Sequence, residues 1–239
     1  MKTSGKPAAL VSLHAGGARN PHLQPSKLRF LRFGDVKPDV ARDGFTEASE
    51  LEELLRRIRA CRICAAHLPL GPNPVLRASA TARILIVGQA PGTKVHASGI
   101  PWNDASGERL RAWMGIDRDV FYDESRIAIV PMGFCYPGRG RGGDNPPRPE
   151  CARTWHPHLI PLLKNVRLTL LIGQYAQAYF LRERRKGSLT QTVRAFAEYL
   201  PDYLPTVHPS PRNQGWLKRN PWFEKKLLPT LRERAHELL

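Results

Sequence analysis

The side chains best placed to do chemistry fall in two short stretches of a 239-residue chain. Gly88-Gln-Ala-Pro-Gly92 runs on through Gly99-Ile-Pro-Trp-Asn-Asp-Ala-Ser-Gly107, and His208-Pro-Ser-Pro-Arg-Asn213 follows far downstream. Asp104 is an anion able to stabilise positive charge and to orient or deprotonate a water, whereas His208 can donate to an oxygen on which negative charge is growing. Gln89 offers an amide and a backbone N–H but no general base. Glycines let backbone approach a ligand closely, Pro91 and Pro101 stiffen the first loop, and Trp102 beside Asn103 presents a flat stacking face. Arg212, in a proline-braced loop, is suited to a wedge or a phosphate contact.

A second constellation is made of sulfur. Cys61-x-x-Cys64 is followed much later by Cys135 and Cys151, two pairs that can converge on one metal centre. Four thiolates hold either zinc or a cubane iron-sulfur cluster, and spacing alone does not separate the two. Structural disulfides are not expected, because the chain shows no secretion signal and the reducing cytosol keeps thiols free. A cytoplasmic location is the expectation, and no run of 18 apolar residues is present to span a bilayer.

Charge narrows the partners. With 37 Lys and Arg against 21 Asp and Glu, the net charge of +16 points to an anionic partner such as nucleic acid. Residues 136–150 are nearly all Gly, Pro and polar, which predicts an exposed basic loop presenting Arg139, Arg141 and Arg148. Residues 1–45 hold no acid before Asp35 and no sustained apolar period, the pattern of a disordered basic arm. A single domain over residues 46–239 then carries the chemistry.

The elements that must position these groups follow from periodicity. Leu51, Leu54, Leu55 and Ile58 recur at helical spacing after Thr46, giving an N-capped amphipathic helix that delivers Cys61 and Cys64 at its end. Apolar runs at 84–87, 127–130, 168–173 and 204–208 read as buried strands. Helices are predicted from Ser106 as cap to Trp113, from about Pro149 to Leu163, after Gly173 to about Arg185, and from Pro221 to Leu239. Alternation of strands with helices implies a three-layer α/β/α fold around a central, mainly parallel four-stranded sheet. Ligands of such sheets bind beyond the carboxyl ends of the strands, where both chemistry-bearing loops start.

Taken together, the Gly-Gln-Ala-Pro-Gly and His-Pro-Ser-Pro-Arg-Asn loops resemble the two active-site motifs of the uracil-DNA glycosylase superfamily. The cysteine layout resembles that of its iron-sulfur branches, in which such cysteines hold one [4Fe-4S] cluster, and the resemblance covers about residues 47–239. The first motif is similar to the Gly-Glu-Ala-Pro-Gly of the thermophilic iron-sulfur enzymes, with Gln89 in place of the carboxylate. Asp104-x-Ser-Gly107 resembles a branch of broader base specificity in which that aspartate is catalytic. The second motif is most similar to the single-strand-selective branch, and the asparagine that reads the uracil edge in many branches falls on Pro131.

The resemblance implies excision of uracil from DNA by a monomer, with Asp104 and His208 catalytic. It also implies a base site formed by Gln89, Ala90, Trp102, Asn103, Ser210 and Asn213, and DNA contacts from Arg139, Arg141, Arg148 and Arg212. Cys61, Cys64, Cys135 and Cys151 are the implied cluster ligands. The chemistry agrees: breaking an N-glycosidic bond puts positive charge on the sugar and negative charge on the departing base, which calls for an anion and a donor. Trp102 stacking on an extruded base can recover roughly 1–3 kcal/mol of the unstacking cost. The alternative is a non-catalytic nucleic-acid-binding module stapled by zinc or a cluster.

Overall fold

The computed structural model describes residues 47–239, so the basic arm expected over residues 1–45 lies outside them. In chain order the described elements are α1 (Glu47–Arg59), β1 (Ile84–Val87), α2 (Thr93–Ser98), α3 (Ala105–Met114), α4 (Arg118–Tyr122) and β2 (Ile127–Ile129). A hairpin of β3 (Arg139–Gly140) and β4 (Gly143–Asp144) precedes α5 (Pro149–Thr154), α6 (His156–Leu159), β5 (Leu168–Ile172), α7 (Gln174–Leu181) and α8 (Leu189–Arg194). β6 (Tyr203–Thr206), α9 (Gln214–Arg219) and α10 (Leu228–Leu238) complete the chain.

Four strands form one parallel sheet in the order β2-β1-β5-β6, with Ile84 of β1 level with Ile127 on one side and Leu168 on the other. Each strand is too short to be stable alone; it holds because both of its faces are covered. Along β1 the pleat sends Ile84 and Ile86 into a core built with α3, α4 and α10. Leu85 and Val87 enter a second core built with α1, α5, α6 and α7. The three-layer α/β/α architecture is therefore written residue by residue in β1. Burying each of these side chains contributes about 1.5–3 kcal/mol, and a one-residue slip would exchange the two cores.

Several local expectations are corrected. Ser106 does not cap α3; Asp104 does, its Oδ1 accepting the Gly107 N–H at 2.8 Å. The helix expected from Pro149 to Leu163 breaks into α5, α6 and a 3-10 turn over Ile160–Leu162, because Pro157 and Pro161 each remove a backbone donor. Residues 136–150 are not uniformly exposed: Tyr136, Pro137 and Gly138 are buried, and only from Arg139 does the hairpin emerge. The last strand begins at Tyr203 and ends at Thr206, which leaves His208 beyond its carboxyl end rather than within it. Among the described residues no helix is long and apolar enough to cross a membrane.

Candidate active cleft and cysteine site

The loops leaving β1, β2 and β6 enclose a cleft of about 430 Å³ whose lining includes Gln89, Ala90, Trp102, Asp104, Pro131, Asp144, His208, Ser210 and Arg212. Two glycines make the first wall possible. A Cβ at Gly88 would stand 2.9 Å from the Trp102 ring, and one at Gly107 only 1.7 Å from the Trp102 carbonyl oxygen. Trp102 itself sits at φ 57°, a left-handed conformation costly for a bulky residue. Its loop is held by the Tyr122 hydroxyl, which donates to Pro101 O at 2.9 Å. The Trp102 ring lies 5.3 Å from that of His208, centroid to centroid, so the stacking face and the histidine share the cleft.

His208 has a defined tautomer. Its Nδ1 accepts the Ser210 backbone N–H at 3.2 Å, so the neutral ring carries its proton on Nε2. Burial pushes its pKa down, with Asp104 opposing, which favours the neutral ring. Asn213 Nδ2 donates to His208 O at 2.7 Å and Arg109 Nη1 to Ser210 O at 3.2 Å, bracing the loop from both sides. Asp104 both caps α3 and lines the cleft, so the helix start fixes where its charge sits.

The remaining sequence candidates separate into two groups. Gln89 Nε2 donates to Asn145 O at 2.9 Å, tying the first loop to the hairpin. Arg212 Nη1 donates to Gly142 O at 3.1 Å, tying the second loop to the same hairpin, and Arg139 and Arg141 stand exposed on it. Asn103 is not in the cleft lining; its Oδ1 accepts from Arg118 at 3.3 Å. Asn213 likewise acts on the His208 backbone. Arg148 stands apart from the other arginines, because its guanidinium pairs with Glu150 and reaches the Cys64 sulfur.

Sequence reasoning missed two residues. Asp144 lines the cleft from the hairpin, and its only signal in sequence is an acid set among the glycines and arginines of an otherwise basic loop. His156 is fully buried behind the cleft floor, its Nε2 3.1 Å from Pro131 O and its ring stacked on Phe134. Burial lowers its pKa to about 4.

The four cysteines, from the end of α1, the end of the β2 loop and α5, line one apolar cavity with Leu68, Pro72, Pro74 and Phe134. All are free thiols. Phe134 N–H donates to Cys151 Sγ at 3.5 Å, and the Asn73 backbone and the Arg148 guanidinium pull the Cys135 and Cys64 pKa values down against the burial that raises them. Such donors suit thiolates, so the donor set fits a sulfur-ligated group. Among the described residues no three His, Cys, Asp or Glu side chains gather in a way that could hold a metal ion.

With this geometry in hand, the comparison with protein families is specific. The model described as "Uracil DNA glycosylase superfamily" matches residues 77–232, well over half of the chain. The protein belongs to the uracil DNA glycosylase superfamily. Its class is that of glycosylases, hydrolases that act on DNA.

Proposed function

We propose that the protein hydrolyses the N-glycosidic bond of uracil in DNA and leaves an abasic site. The observation that carries this reading is the opposed pair in one cleft: a neutral His208 whose tautomer is set by the Ser210 N–H, and an aspartate whose position is set by the start of α3. The flipped base stacks against Trp102, and the His208 Nε2–H donates to the base oxygen on which charge accumulates as the bond lengthens. Asp104 supplies negative charge beside the oxocarbenium-like sugar. The neutral imidazole suits this task, since it donates without bringing a full positive charge into the buried cleft in the ground state.

Cys61, Cys64, Cys135 and Cys151 are the proposed ligands of one [4Fe-4S] cluster. Support comes from their shared cavity and from the neighbouring groups that favour their thiolate forms. When bound, the cluster supplies a cross-link between α1, the hairpin and α5, distinct from the bond cleavage.

Incubation with oligonucleotides bearing one uracil, hypoxanthine or xanthine, then alkaline cleavage of abasic sites, tests the reading. Strand breaks at uracil are expected. Intact uracil strands at high enzyme excess, with a folded protein, would remove the proposal.

A further inference from the structure

We propose that Asp144, carried into the cleft by the hairpin, is the general base that activates the attacking water, while Asp104 provides fixed charge; this rests on the glycosylase reading above. The placement is the first ground. Asp144 lines the same cleft as Asp104 and His208, and its Oδ2 lies 3.5 Å from where a Cβ on Gly92 would be, so the carboxylate covers the first active-site loop.

The second ground is the way the hairpin is fastened. Gln89 Nε2 holds Asn145 O at 2.9 Å and Arg212 Nη1 holds Gly142 O at 3.1 Å, so both catalytic loops grip the segment on either side of Asp144. These two bonds fix the position of the intervening Asp144 relative to both loops. The Asn145 side chain adds a third tie, donating to Pro137 O at 3.2 Å.

The third ground is a division of labour between the two acids. One oxygen of Asp104 is engaged in the α3 cap at 2.8 Å, which fixes where its charge sits and leaves that oxygen occupied by the Gly107 N–H. Asp144 differs: although the residue as a whole is exposed, burial of its carboxyl raises its pKa, Asp104 adds in the same direction, and Arg212 and Arg139 oppose. A carboxylate made more basic in this way is the better partner for a water at neutral pH. In the step itself Asp144 removes one proton from water, the water oxygen bonds to C1′, and the C1′–N bond breaks with its electron pair going to the base. The base anion is held by the His208 Nε2–H and takes a proton from the now neutral Asp144 by way of solvent.

The groups facing Asp144 are Arg139 on its own hairpin, Arg212 on the second loop and Asp104 at the start of α3, with His208 across the cleft. The test is a single-turnover pH profile on a uracil-containing strand for the wild type, Asp144→Asn and Asp144→Glu. The wild-type rate should fall as pH drops through the raised Asp144 pKa. Asp144→Asn should be slower by about 10²–10⁴-fold at neutral pH and should lose that acidic limb, and Asp144→Glu should restore part of both. A purely structural role for Asp144 would lower the rate without removing the limb, and so would overturn the proposal. A wild-type rate in Asp144→Asn would also overturn it while leaving the glycosylase reading intact, whereas absence of excision by the wild type would sink both.

Discussion

Asp104 does two jobs with one carboxylate, and substitutions can separate them. Asparagine caps a helix about as well as aspartate, so Asp104→Asn should leave α3 and overall stability nearly unchanged while removing the charge. We expect a single-turnover loss of about 10²–10³-fold, the scale of one preorganised electrostatic contact, with DNA binding retained. Asp104→Ala should add a cap loss of about 1 kcal/mol, visible as a lower denaturation midpoint. Excision by Asp104→Asn at the wild-type rate would show that its charge is idle. Gln89 calls for a different expectation. Since its side chain holds Asn145 O, Gln89→Ala should free the hairpin, and tryptic cleavage at Arg139 and Arg141 should speed up. Unchanged cleavage kinetics there would show that the bond does not restrain the hairpin.

At the scale of elements, the hairpin joins the two sites. Its residues are flanked by Cys135 and Cys151, both lining the sulfur cavity, while its tip lines the cleft. Replacing any one of the four cysteines by Ala should therefore cost folding and solubility first, along with the visible absorbance of an iron-sulfur centre, and activity through the misplaced hairpin second. Single Cys→Ala variants that fold normally, remain fully active and bind no metal would exclude the cross-link. α3 shows the same economy of parts. The absence of a side chain on Gly107 leaves room for the Trp102 carbonyl, and the Gly107 N–H donates to Asp104 Oδ1, so one residue serves both the stacking face and the acid.

For the whole molecule the net charge of +16 predicts DNA affinity that falls steeply with salt. On duplex the logarithmic slope should be about 0.9 per phosphate contact, and neutralising Arg139, Arg141 or Arg212 should flatten it by roughly one unit. Arg148→Gln should leave the slope unaltered, because that guanidinium is committed to Glu150 and Cys64. A salt-independent affinity would remove the phosphate contacts from the account. Stability should also fall on acidification. His156 has its pKa lowered from 6.5 to about 4, so between those values the unfolded chain binds a proton that the folded chain refuses. This contribution is fully present above pH 6.5 and is lost progressively towards pH 4, reaching about 3 kcal/mol, with His208 adding in the same direction. Denaturation midpoints measured from pH 7 to 4.5 should show the decline, and His156→Gln should make it shallower. An equal slope in that variant would assign the acid sensitivity elsewhere.

Signals contained within a few consecutive residues were legible in the sequence. The buried runs of β1, β2 and β5, the amphipathic face of α1 and the glycine-proline turns each depend on local periodicity or backbone geometry, which a linear chain displays directly. The family motifs placed Asp104 and His208 in loops at strand ends, and both line the cleft. What the sequence left undecided depends on partners distant along the chain. Arg148 looks like any other arginine of a basic loop until folding sets it against Glu150 and Cys64, and Gln89 looks like a lost acid until Asn145 comes within 2.9 Å. The tautomer of His208, the burial that depresses His156 and the placing of Asp144 over Gly92 likewise arise only when separate loops close on one another. Protonation and hydrogen bonding answer to the three-dimensional surroundings of a group, and in this protein those surroundings are assembled by a parallel sheet whose neighbouring strands are far apart in sequence.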